Sequence, residues 1–216
     1  MESSYNSNNR VKGIMLLVNP FHKIAGAHAL VAGIVIITVT TLLALRFDTH
    51  FNGLLEIKYG TSVYGIQTHL LYGVVNLLTI SLLFYISGTI LSTSSIRFID
   101  VIGTQALARF PYFFAPFLNI NSVMERLTEK LLDFALGIEN GTEPFTAGEM
   151  ALFISISIAL IIVIAWYIAL MYNAYRISCN IGGTRAVLSF IIVLIVAVIV
   201  SILINQLHMN YLIPLQ

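Results

Sequence analysis

Three polar residues, Asp100, Gln105 and Arg109, stand in a stretch otherwise suited to a membrane interior. They belong to Arg97-Phe-Ile-Asp-Val-Ile-Gly-Thr-Gln-Ala-Leu-Ala-Arg-Phe-Pro111. Ionisable groups at membrane depth are costly and often mark an ion path, a proton relay or a bond between helices. Asp100 and Arg109 are nine residues apart, about half a turn out of phase at 3.6 residues per turn, so they cannot pair on a straight helix. Arg97 lies one turn before Asp100, and Gln105 one turn before Arg109 on the same face. Two readings follow. In the favoured one, Arg97 and Asp100 form an ion pair at headgroup level while Arg109 bonds carbonyls freed near Pro111. In the other, the run lines a substrate or ion pathway. Pro111 and Pro116 lack the amide proton that a helix needs, so the segment is expected to kink or break there.

The remaining candidates are weaker. His28 is read as an interfacial or helix-bonding residue, and Asn76, Ser155, Ser157 and Asn173 as bonds between helices. The five histidines are scattered in the chain, with no pair at ligand spacing, so no metal site is expected. The single cysteine, Cys179, excludes an internal disulfide. No phosphate-binding loop, His-Glu-x-x-His, Cys-x-x-Cys or Gly-x-Ser-x-Gly motif is present, so neither a catalytic residue nor a cofactor is expected. Asn140-Gly-Thr142 matches a glycosylation acceptor, a pattern common by chance.

The elements that must carry these residues are set by composition. Of 216 residues, 58% are hydrophobic and 10% charged, with a net charge of +1 and a mean hydropathy of +0.90. Soluble domains carry about 25% charged residues. The composition therefore excludes a water-soluble domain, a disordered chain and a nucleic-acid binder. A crossing helix takes about 20 apolar residues. The pattern predicts an all-α, polytopic membrane protein with five transmembrane helices near 24–46, 69–92, 97–118, 149–175 and 185–207. Residues 1–23 form an N-terminal cytoplasmic or interfacial segment, and 24–216 the membrane domain. The basic-then-apolar order of 10–18 resembles a signal peptide. It stops at Asn19-Pro20 without a small-residue cleavage site, which favours an interfacial segment.

Local signals refine this plan. Ala25, Ala29 and Gly33 recur every four residues and predict a helix face that another helix approaches closely. Residues 54–59 and 62–66, separated by Gly60-Thr61, predict a small hairpin. Ser122 to Glu125 forms a capping-box pattern, opening an amphipathic helix whose apolar face is Val123, Met124, Leu127, Leu131, Phe134 and Ala135. Thr146 to Glu149 forms a second capping box before the fourth span. Trp166 reads as packing, and nearby tyrosines as an interfacial belt. Arg10, Lys12, Lys23, Arg97, Arg176 and Arg185 gather on one side of a five-span chain, and most acidic residues on the other. That split predicts a cytoplasmic N-terminus and an outside C-terminus.

Asn19-Pro20, the run from Ile96 to Pro111, and Trp166 followed by the turn from Asn173 to Ala186 occur in this order along the chain. In that order the chain, from about Asn19 onward, resembles the Yip-one domain family of membrane proteins, and residues 96–111 look like the bacterial version. The resemblance implies five membrane helices, a cytosolic N-terminus and, for a bacterial member, the inner membrane. Eukaryotic relatives are implicated in vesicle trafficking and in binding small prenylated GTPases. This chain lacks their long cytosolic N-terminal region and their Asp-Leu-Tyr-Gly-Pro-type motif, which argues against GTPase binding. Three function classes remain: a non-enzymatic scaffold or membrane-organising protein, a small transporter or channel using the broken third segment, and an intramembrane enzyme, which lacks a nucleophile–base pair. The expected partners are membrane lipids, other membrane proteins or a second copy of the chain.

Overall fold

The computed structural model describes residues 18–60, 65–137 and 146–212. A short 3-10 turn, Pro20–His22, leads into α1, Gly26–Arg46. A two-stranded ribbon follows, β1 (Thr49–His50) with β2 (Lys58–Tyr59), then α2, Ile66–Leu91. Next come α3, Phe98–Ala108, a 3-10 segment over Phe110–Ser122, and α4, Val123–Leu136. The chain closes with α5, Ala147–Ser178, and α6, Gly183–Leu212.

Four helices, α1, α2, α5 and α6, are long and apolar enough to cross a membrane. Their apolar residues surround the whole helix, as a lipid environment allows, while a narrower stripe is buried. On α5 the buried stripe is Val163, Tyr167, Leu170, Met171, Ala174 and Tyr175, a helical 3.6-residue repeat. The opposite face leaves Ile158, Ile161 and Ile162 exposed, and α6 does the same with Leu188, Ile192, Ile195 and Ile199. Water would not tolerate an apolar surface of this extent on a monomer.

The third segment is broken, as the prolines require. α3 has only 11 residues, about 16 Å at 1.5 Å per residue. At Arg109 the backbone tightens: the Arg109 amide reaches the Ala106 carbonyl and the Tyr112 amide reaches the Arg109 carbonyl. Pro111 occupies the first turn of the 3-10 segment, where its missing amide costs least. The segment nonetheless follows α1 from end to end. Gly103 packs on the Gly26 carbonyl at the start, and Asn119 Nδ2 donates to the Phe47 carbonyl at 2.8 Å at the finish.

Contact between α1 and α3 rests on small residues. Ala29 and Gly33 are buried; a Cβ on Gly33 would collide with Ala106 and come within 2.7 Å of the Leu107 amide nitrogen. Ala25 lies just outside α1 and is exposed, so the small-residue face is two positions long, not three.

Two local readings need adjusting. Among the described residues the ribbon pairs Thr49 with Tyr59 and His50 with Lys58, a pairing the sequence did not suggest; of the expected hairpin's second strand, positions 62–64 lie outside the described residues. Asp48, at φ +45, turns the chain directly after α1, so pairing begins earlier. The capping box at Ser122 is also absent. Ser122 is left-handed, at φ +54, and its side chain makes no cap bond. Asn119 replaces it: its Oδ1 accepts from the Met124 and Glu125 amides at 3.0 and 3.2 Å. The second box is present, with the Thr146 hydroxyl accepting from the Glu149 amide and the Thr146 amide donating to the Glu149 carboxylate. On α4, Met124 and Leu127 are buried, but Phe134 is 70% exposed. Asn140-Gly-Thr142 lies outside the described residues.

Candidate functional site: a buried arginine beside a small cavity

Arg109 ends α3 and points into the bundle, 8% exposed. Its Nη1 donates to the Gly73 carbonyl of α2 at 3.0 Å. The expectation that it bonds carbonyls near Pro111 is therefore corrected. The Arg109 and Tyr112 amides close 3-10 bonds to the Ala106 and Arg109 carbonyls, and the guanidinium reaches the neighbouring helix instead. Arg109 Nε has no partner. The Tyr167 phenol of α5 lies beside the guanidinium, and the Tyr112 and Tyr167 rings stack obliquely with centroids 4.4 Å apart.

A cavity of about 30 Å³ opens beside Arg109, lined among others by Thr40, Thr41, His69 and Tyr112. Thr40 is buried and its hydroxyl also has no partner. The Tyr112 hydroxyl turns away, donating to the Leu54 carbonyl at 3.0 Å. His69 Nε2 lies 3.2 Å from His50 Nδ1, and His50 Nε2 lies 2.8 Å from the Gly60 carbonyl. The fold thus brings together two histidines that no sequence spacing paired. Outside the spans, burial pushes the Tyr59 phenol above the usual tyrosine range. It remains neutral and donates to the Ala115 carbonyl at 3.1 Å, tying the ribbon to the 3-10 segment.

The other candidates separate. Asp100 pairs with exposed Arg97, Nε to Oδ2 at 2.9 Å, at the end of the bundle. Gln105 is buried on α3; its Nε2 donates to the Met171 carbonyl of α5 at 3.2 Å while its Oε1 has no partner. Pro111 is buried in the 3-10 segment. His28 is exposed in the first turn of α1, away from this cluster. Asn76 does bond between elements, accepting from the Ser201 hydroxyl of α6 at 2.7 Å. Asn173 donates to the Val18 carbonyl. Ser155 and Ser157 instead bond back to Ala151 and Phe153 of their own helix. Trp166 packs edge-on to Phe110 and stacks on Phe114.

Thr40, Thr41, His50 and His69 escaped the sequence reading because a threonine in a helix or a lone histidine carries no local signal, and the belt expected of the tyrosines near Trp166 is corrected: Tyr167 and Tyr175 are fully buried in the bundle. Among the described residues no group of three His, Cys, Asp or Glu side chains could hold a metal ion. No family model, curated protein or solved structure matches the chain.

Proposed function

We propose that the chain is a five-span, non-enzymatic membrane-organising protein of the Yip-one type, a bacterial-like member in the inner membrane. The reading rests on how the third segment is held. It is enclosed by α1, α2 and α5, and three of its polar side chains bond to neighbouring elements: Arg109 to Gly73 of α2, Gln105 to Met171 of α5, and Tyr112 to Leu54 of the loop between β1 and β2. The space beside Arg109, about 30 Å³, suits roughly two water molecules, far less than an organic substrate needs. A fifth crossing is supported by the third segment running beside α1 from Gly26 to Phe47. With five crossings, Lys23, Arg97, Arg176 and Arg185 share one end, which the Lys/Arg bias assigns to the cytoplasm together with the N-terminus.

Partners of such a protein meet its outer faces. Lipid covers α1, α5 and α6, and α4 rests its apolar side at the interface, open to lipids, to other membrane proteins or to a second copy. Small-GTPase binding is not part of the proposal. Crosslinking and pull-down from native membranes tests the scaffold reading; recovery of the chain alone, without reproducible protein partners, overturns it. The runner-up, a small channel, is favoured by the unpartnered Arg109 Nε. Reconstitution into liposomes with an ion-flux panel separates the two.

A further inference from the structure

We propose that the cavity beside Arg109 binds one small monovalent anion of halide size. Three observations converge on it. Arg109 is charged at any working pH and is 8% exposed, with Nε unpartnered. Thr40, from α1, is 6% exposed and its hydroxyl is also unpartnered. Both residues line the same cavity, with Thr41 and His69 beside them. Two residues that each carry a polar atom without a partner, Arg109 at Nε and Thr40 at its hydroxyl, thus line one small space. No carboxylate lines that space among the described residues, and the three ion pairs among them, Lys58–Glu56, Arg97–Asp100 and Lys130–Glu149, leave Arg109 out.

An unopposed buried charge is costly, and a buried donor without an acceptor adds to that cost. An anion answers both, since it accepts from the two donors and neutralises the guanidinium. The volume, about 30 Å³, exceeds the 10–15 Å³ or so that one water requires. It therefore admits a halide, somewhat larger than water, with little room besides. Ile37 and Phe51 complete the wall, and an apolar wall strengthens the electrostatic attraction. The site does not depend on the scaffold reading. A structural anion stands whether or not the protein conducts.

The purified full-length protein is melted in detergent at fixed ionic strength with sodium gluconate replaced stepwise by chloride or bromide. A bound anion raises Tm by about 3–5 °C per tenfold increase above its dissociation constant. Chlorine-35 NMR of the same samples shows excess line broadening that bromide competes away. Thr40→Val, close in shape and lacking the hydroxyl, reduces both effects at least tenfold in affinity while the protein still folds. Arg109→Lys, which keeps the charge but loses Nε, weakens them also. Absence of any chloride or bromide dependence in the natural protein overturns the proposal and leaves the cavity to water. Halide stabilisation undiminished by Thr40→Val and by Arg109→Lys overturns it too, because the ion then acts elsewhere.

Discussion

The Ser201 hydroxyl of α6 donates to Asn76 Oδ1 of α2 at 2.7 Å and accepts from the Leu54 amide at 2.9 Å. One side chain thus joins the last span, the second span and the loop after β1. Removing it leaves a buried amide and a buried amide oxygen without partners, each worth about 1–3 kcal/mol. Ser201→Ala should lower Tm in detergent by roughly 4–24 °C, from about 2–6 kcal/mol at about 2–4 °C per kcal/mol. An unchanged melt would show that the three elements are held by apolar packing alone.

Gly33 faces Ala106 so closely that a single added carbon must move backbone. Overpacking of this kind costs about 1–3 kcal/mol. Gly33→Ala should reduce the yield of folded, monodisperse protein, and Gly33→Leu should do so further. Gly65, which has open space around it, is the control position. Equal yields for Gly33→Leu and Gly65→Leu would mean that α1 and α3 do not meet here.

Arg109 and Arg97 are both arginines near one short helix, yet they differ in depth. The Arg97 side chain is 77% exposed, and an exposed ion pair contributes about 0–1 kcal/mol. Arg109 is buried against Gly73. Arg109→Leu should therefore lower expression and thermal stability more than Arg97→Leu. Lysine at 109 should restore them in part, since it lacks the planar fork of donors. Equal behaviour of the two leucine variants would remove Arg109 from the structural core.

Five crossings place Ser94, exposed in the turn after α2, and Glu129, exposed on α4, on opposite sides of the membrane. In a Cys179→Ser background, a membrane-impermeant maleimide applied to intact cells should label Glu129→Cys and spare Ser94→Cys until the membrane is opened. Labelling of both from outside, or of Ser94→Cys alone, would break the proposed topology.

Hydropathy alone determined that this chain is helical and membrane-embedded, because runs of about 20 apolar residues have no other stable environment. α1, α2, α5 and α6 begin and end within a few residues of the spans read from the sequence, apart from the far end of α6, which continues to Leu212. Pro111 and Pro116 likewise announced the break after α3, since a missing amide proton is a local fact. The second capping box was legible for the same reason: its donor and acceptor are three residues apart.

Tertiary structure decided everything that joins residues distant in the chain. Asn119, not Ser122, caps α4 because the left-handed turn at Asn121 and Ser122 brings its side chain back over the helix start. His50 meets His69 because the ribbon folds over the entrance of α2. The acceptor of Arg109 is on α2, and Thr40 joins it from α1. Periodicity reports which face of a helix is apolar. When the whole circumference is apolar, it leaves open which face meets a neighbour and which meets lipid, and only packing of the small residues Ala29, Gly33, Gly103 and Ala106 chooses between them.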